Sequence, residues 1–191
     1  MGQQAPSLGQ VSPDGKFVWD GSRWNPITAF RWEPTETTRR MQLRAGGYLV
    51  LAGLINPSLT YLFQPYVRQV LEKSLQQNPS VTPDQMKQIV DISVAGGLVA
   101  ALAFGVIYVA FGIMTMLRRW GWLFYADLVI LGIGGWGVFT GLFGLARGTG
   151  EPLGLVIPNL ILAAAALALF VWMLVTRIRG SVWAARKVPN L

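Results

Sequence analysis

Side chains able to do chemistry are few in this chain, and they are scattered. There is no His and no Cys, which removes imidazole bases, thiol nucleophiles, disulfides and the usual soft metal ligands. The acids Glu72, Asp84, Asp91 and Glu151 fall outside the apolar stretches and form no recognisable catalytic pair. Asp84 and Asp91 share a face of one predicted helix but stand too far apart along it to share a metal. The cluster Gly132, Gly134, Gly135 and Gly137 lies inside an apolar run, where there is no phosphate for it to cradle. These residues give no catalytic, cofactor-binding or metal-ligating site, and the chain is expected not to be an enzyme.

Three polar features remain. Asn56 with Pro57, and Pro158 with Asn159, each set an amide beside a helix-interrupting residue within an apolar stretch. Interrupted helices of this kind build intramembrane transport sites, or are simple kinks bonded by the neighbouring amide. Asp127 is the one Asp, Glu, Lys or Arg inside any such stretch, and an intramembrane carboxylate is a functional candidate by default. It also stands about two turns from Trp120, near enough to the interface to snorkel, cap its helix or pair with Arg118 or Arg119. Asn56, Asp127 and Asn159, with Thr60 and Thr140 nearby, form the candidate polar intramembrane site. Trp136 reads as a packed core residue, with a pigment or quinone contact as the alternative.

The elements that must position these residues are membrane helices. Of 191 residues, 52% are hydrophobic and only 13% charged, with mean hydropathy +0.43, against about 25% charged in a soluble domain. Four stretches, residues 45–67, 92–117, 120–146 and 152–176, are long enough to cross a bilayer, which takes about 20 helical residues. Between the first two, residues 68–91 are predicted to form an extracytoplasmic helical hairpin. Val67, Val70, Leu71 and Leu75 stripe a helix running on from Pro65, Asn78, Pro79 and Ser80 make a turn, and Thr82, Pro83, Asp84 and Gln85 read as a capping box. Twelve Lys and Arg fall on the side of the two tails and four on the other, so both termini are expected in the cytoplasm. The first 44 residues hold no apolar core like that of a cleavable signal peptide, so the first stretch is expected to act as a signal-anchor. Gly97, Ala101 and Gly105, and Gly137, Gly141 and Gly144, are small residues at helix-packing spacing.

Residues 1–44 form a tail that is polar yet holds Phe17, Trp19, Trp24, Phe30 and Trp32. Ser12-Pro13-Asp14-Gly15 reads as a turn, residues 16–19 as a strand, Asp20-Gly21 as a tight turn and residues 23–27 as the returning strand. Phe17 and Trp19 alternate onto one face with Trp24. A two-stranded hairpin is marginal alone, so this face is expected to be covered by protein or membrane. Thr35, Thr37 and Thr38 beside Arg39 and Arg40 read as solvated linker, with a phosphorylation site as the alternative. Residues 177–191, with Arg177, Arg179, Arg186 and Lys187 around Val182 and Trp183, read as a basic amphipathic stretch on anionic lipid.

The run SPDGKFVWDGSRWNPI resembles a PDG…WDG…W motif in the tryptophan-rich cytoplasmic tails of small bacterial multi-span membrane proteins of unassigned function. It spans about 16 residues, and it implies an adaptor-like element with no chemistry to carry over. The expectation is an all-α membrane protein. It is a four-transmembrane-helix bundle with a short N-terminal β-hairpin-like motif at residues 12–27, in the bacterial cytoplasmic membrane. Its expected partners are the lipid bilayer and a protein docked at Phe17, Trp19 and Trp24; no nucleic acid and no cofactor are expected. A small transporter or channel using Asn56, Asp127 and Asn159 is the alternative.

Overall fold

The computed structural model describes residues 6–27, 30–77, 80–118, 120–147 and 152–189, with backbone only at 30, 31, 187 and 189. It is mostly helical. Strands β1 (Phe17–Trp19), β2 (Trp24–Pro26) and β3 (Phe30–Glu33) are followed by helices α1 (Glu36–Leu62), α2 (Gln64–Gln76), α3 (Pro83–Leu117), α4 (Gly121–Arg147) and α5 (Leu153–Arg179). A 3-10 turn, Val182–Ala184, leads into β4 (Arg186–Pro189). Among the described residues, α3, α4 and α5 are each long and apolar enough to cross a membrane, and α1 with α2 would add a fourth crossing as a pair bent by 56°.

Helix α1 starts well before the apolar stretch, because Thr35 caps it. The Thr35 hydroxyl accepts the Thr38 N–H at 3.2 Å, and Thr38 Oγ1 accepts the Thr35 N–H at 3.0 Å. Thr38 is fully buried, so residues read as linker open a helix, and of the three threonines Thr37 alone is exposed. At the other end α1 does not run on straight from Pro65. It breaks at Phe63, and Pro65, which lacks an N–H, sits in the first turn of α2. Bent over, α2 packs along α3, with Arg68 paired to Asp91 at 2.6 Å. The predicted stripe divides: Leu71 and Leu75 are half-buried, while Val67 and Val70 are exposed. Asn78 and Pro79 lie outside the described residues. Helix α3 is capped by Thr82 and Gln85 and, at 35 residues, rises about 50 Å, beyond the roughly 30 Å of hydrocarbon.

The helices pack as two antiparallel pairs, α1 with α3 and α4 with α5. The first pair closes on glycine. A Cβ on Gly46 would stand 2.5 Å from Gly112 O, and one on Gly112 2.6 Å from Gly46 O; Gly53 and Gly105 repeat this at 2.7 and 2.6 Å. Only hydrogen fits, so the backbones touch through Cα–H···O contacts. Pro57 strengthens the second contact, since it cannot donate to the Gly53 carbonyl that Gly105 meets; Asn56 is not needed to bond the kink. Gly97 meets nothing within 4 Å, so the expected ridge of Gly97, Ala101 and Gly105 is not the seam. In the second pair Gly135 lies against Leu167, Gly137 against Ala163 and Gly141 against Leu160.

The two pairs join at the end that carries the tails, around Met41, Ala45, Leu123, Phe124, Leu131, Ala166, Met173 and Trp183. In the C-terminal segment Trp183 turns into this core. Trp183 is buried, its Nε1 donates to Trp120 O at 3.1 Å, and its ring meets Phe124 edge-on at 5.1 Å. Beyond it β4 pairs antiparallel with β3, setting Phe30 opposite Pro189 and Glu33 opposite Arg186. Thr35 Oγ1 donates to Ala184 O at 3.0 Å, tying the α1 cap to the same turn. Around this end Trp120 stacks on Trp122 at 5.9 Å, Arg118 lies over Trp120 and Arg44 over Trp172, contacts of the kind favoured at membrane interfaces. Trp136, expected in a packed core, is 65% exposed beside Phe139, because its side of α4 has no neighbouring helix.

Candidate functional site

Two places gather the residues singled out from the sequence. The first is the N-terminal module, whose turns use the Asp and Gly of its motif. Asp14 accepts from Ser12 Oγ at 2.5 Å and Lys16 N at 3.2 Å, while Gly15 takes φ +72°, a conformation glycine adopts without steric penalty. Asp20 accepts from the N–H groups of Ser22 and Arg23, both at 2.8 Å, and from Asn25 Nδ2 at 2.5 Å; Gly21 follows at φ +100°. The Arg23 and Ser22 N–H bonds hold the Asp20 carboxyl well below the usual carboxylate range, and the Ser12 hydroxyl lowers that of Asp14.

With the turns fixed, β1 and β2 pair with Phe17 opposite Pro26, Val18 opposite Asn25 and Trp19 opposite Trp24. Residues 9–12 add a third, strand-like run on the other side of β1. Gly9 N donates to Trp19 O, Trp19 N to Gln10 O and Ser12 N to Phe17 O, each at 2.9 Å. Three paired runs give the module the support a lone hairpin lacks. Within the chain itself the aromatic face is left partly open among the described residues. Val18, on the opposite face, is the side chain buried to 3%, whereas Phe17 and Trp24 are 38% and 39% exposed. Trp19, half-buried, and Trp24 meet edge-to-face at 5.5 Å, a favoured geometry for an aromatic pair.

The second place is a cavity of about 430 Å³ between the two helix pairs, beyond their common core. Asn56 and Tyr48 of α1, Tyr108 of α3, Thr140 of α4 and Asn159 of α5 line it. The structure therefore brings together Asn56 and Asn159, 103 positions apart in the chain. Thr140 Oγ1 is bonded back to Gly137 O at 3.2 Å and Thr60 Oγ1 to Asn56 O at 2.9 Å. Tyr48 and Tyr108 were not singled out from the sequence. Their signal was a phenol inside an apolar stretch, and Tyr48 precedes Asn56 by two helical turns on a shared face.

Asp127 does not join this cavity. It is fully buried in the core at the tail end, where Thr115 Oγ1 reaches both of its carboxylate oxygens, at 3.1 and 2.8 Å. Gln42 completes the cluster, its Nε2 donating to Thr115 O at 3.1 Å and Arg118 O at 2.8 Å. Asp127 thus neither snorkels nor pairs with Arg118, whose guanidinium lies over Trp120; Arg119 is outside the described residues. The cluster ties α1, α3 and α4 together by side chains, and sequence spacing gave no sign of Gln42. Among the described residues no group of three or more acids stands where it could hold a metal. Compared with known proteins, the chain matches no family model, no curated protein and no solved structure.

Proposed function

We propose that this chain is a four-span protein of the bacterial cytoplasmic membrane with both termini in the cytoplasm. On this reading it is a non-enzymatic interaction or accessory subunit of a membrane complex, docking a protein partner through Phe17, Trp19 and Trp24. One observation carries the reading: the motif's aspartates and glycines are used in turns that set Trp19, Trp24 and Phe17 on one partly exposed face. Exposed aromatic clusters of this kind are typical anchors of protein interfaces. The four spans rest on α3, α4, α5 and the bent pair α1–α2, and the orientation rests on the excess of Lys and Arg at the tail end.

Co-purification from native membranes in a gentle detergent tests the docking role. A protein found with the wild type and lost with Trp19→Ala/Trp24→Ala supports it; identical, partner-free preparations overturn it. Orientation is tested separately with single cysteines in this cysteine-free chain. Ser80→Cys should react with an impermeant maleimide on intact spheroplasts, and Ser7→Cys only after lysis. A second reading, a small transporter, is favoured by the cavity that joins Asn56 to Asn159. Vesicle flux unchanged by Asn56→Leu and by Asn159→Leu would remove it.

A further inference from the structure

The cavity between the helix pairs has a chemistry that docking at the tail does not use. Its lining is polar yet holds no Asp, Glu, Lys or Arg among the described residues. The amides of Asn56 and Asn159 and the phenols of Tyr48 and Tyr108 make no hydrogen bond among the described residues. Several other hydroxyls in the apolar stretches are satisfied at home. Ser58 bonds back to Leu54 O, Thr60 to Asn56 O and Thr176 to Trp172 O. Here four polar groups without such a bond converge on one space.

Their depth sharpens the point. Asn159 stands six residues into α5 and Thr140 seven before the end of α4, so both are about 10 Å inside the helix ends at 1.5 Å per residue. Tyr48 and Gly134 carry the cavity further toward the middle of the helices. At that depth an unpaired polar group is costly and needs a partner. An ion or phosphate head would find no counter-charge there, and a hydrocarbon chain would leave the amides unpaired. Asn56 and Asn159 are both exposed, so the space is open rather than sealed, and its 430 Å³ falls among small-molecule sites of about 300–1,000 Å³.

We infer that this cavity binds an uncharged, lipid-soluble molecule through a hydroxyl or carbonyl head, held by Asn56 and Asn159 and flanked by the hydroxyls of Tyr48 and Tyr108. The inference stands independently of the docking role. It is tested with the full chain in lipid nanodiscs and labelled farnesol, decylubiquinone and squalene, which present a hydroxyl, two carbonyls and no polar head respectively. Saturable binding of farnesol or decylubiquinone, with none of squalene, is the expected result, and which of the two binds identifies the head group. Asn56→Leu/Asn159→Leu should weaken that binding about tenfold or more, since the ligand's head would be left unpaired once it fills the site. Tyr48→Phe/Tyr108→Phe, which keeps both rings and so spares the fold, should weaken it several-fold. Absence of saturable binding for both oxygen-bearing probes, equal binding of squalene, or wild-type affinity in both double variants would overturn the inference.

Discussion

Asp20 shows how much of the tail motif is structural. Its carboxylate receives two backbone N–H groups and the Asn25 amide, and those donors favour the charged form. A carboxyl whose folded value is depressed takes up protons less readily than in the unfolded chain, so its contribution is complete above the unfolded value and declines as pH falls below it. The module is therefore expected to be indifferent to pH near neutrality and to loosen below the ordinary carboxylate value of 3.8, with Asp14 acting in the same sense. The tryptophan exciton signal in circular dichroism that is lost in Trp24→Phe, and so belongs to the Trp19–Trp24 pair rather than to Trp120–Trp122, reads this, and Asp20→Asn should flatten its acid dependence. Val18 gives a complementary test at the same scale. Val18→Asp places a charge in the module's buried position, and should abolish partner capture as fully as loss of the tryptophans while leaving both rings in the chain.

At the scale of elements, the tightest constraint is the glycine seam between α1 and α3. Gly105→Val would drive a side chain into Gly53 O and the Pro57 ring, 2.6 Å from each. Overpacking of this kind typically destabilises by about 1–3 kcal/mol, and contact with backbone puts this case at the upper end. Gly97→Val, where nothing lies within 4 Å, should leave thermal unfolding in detergent close to wild type. Equal losses in the two variants would contradict the seam.

The contrast also shows what could be read from sequence. Small residues four apart on one helix marked Gly97, Ala101 and Gly105 alike, since spacing within a helix does not say which face meets a partner. The true signal is the match between Gly46 and Gly53 and between Gly105 and Gly112, seven apart on both helices, visible only once the helices are paired. The apolar stretches were legible because a bilayer demands length and apolarity of every crossing segment. The start of α1 was not, because its capping box uses Thr38 where the common pattern has Glu or Gln. Of the polar site, Asn56 and Asn159 were legible as amides beside prolines. The removal of Asp127 to a separate cluster depended on Thr115 and Gln42, which are distant in sequence or on another helix.

For the molecule as a whole, the two tails are clasped to each other and to the helices by Trp183. Trp183 and Ala184 adopt φ of 59° and 52°, the left-handed region that any residue with a Cβ enters at a cost. Burial of the indole and its bond to Trp120 O hold them there. Trp183→Ala removes both, a change worth about 3–5 kcal/mol for a buried aromatic. Hydrogen exchange should then quicken at the amides of β3 and β4 while α3 keeps its protection; unchanged exchange in β3 would show that the ladder stands without the indole.

The ladder between β3 and β4 has a further consequence for the docking module. A module on a long flexible tail sweeps a wide volume and meets partners wherever they diffuse. Here β3 is splinted by β4 directly above α1, so only residues 27–29 separate the module from its mount, a tether of about 10 Å when extended. That short leash confines the aromatic face to a thin shell over the helix ends. On the proposed docking role, a partner bound to the same membrane would meet it at high effective concentration, and one free in solution would gain no such advantage.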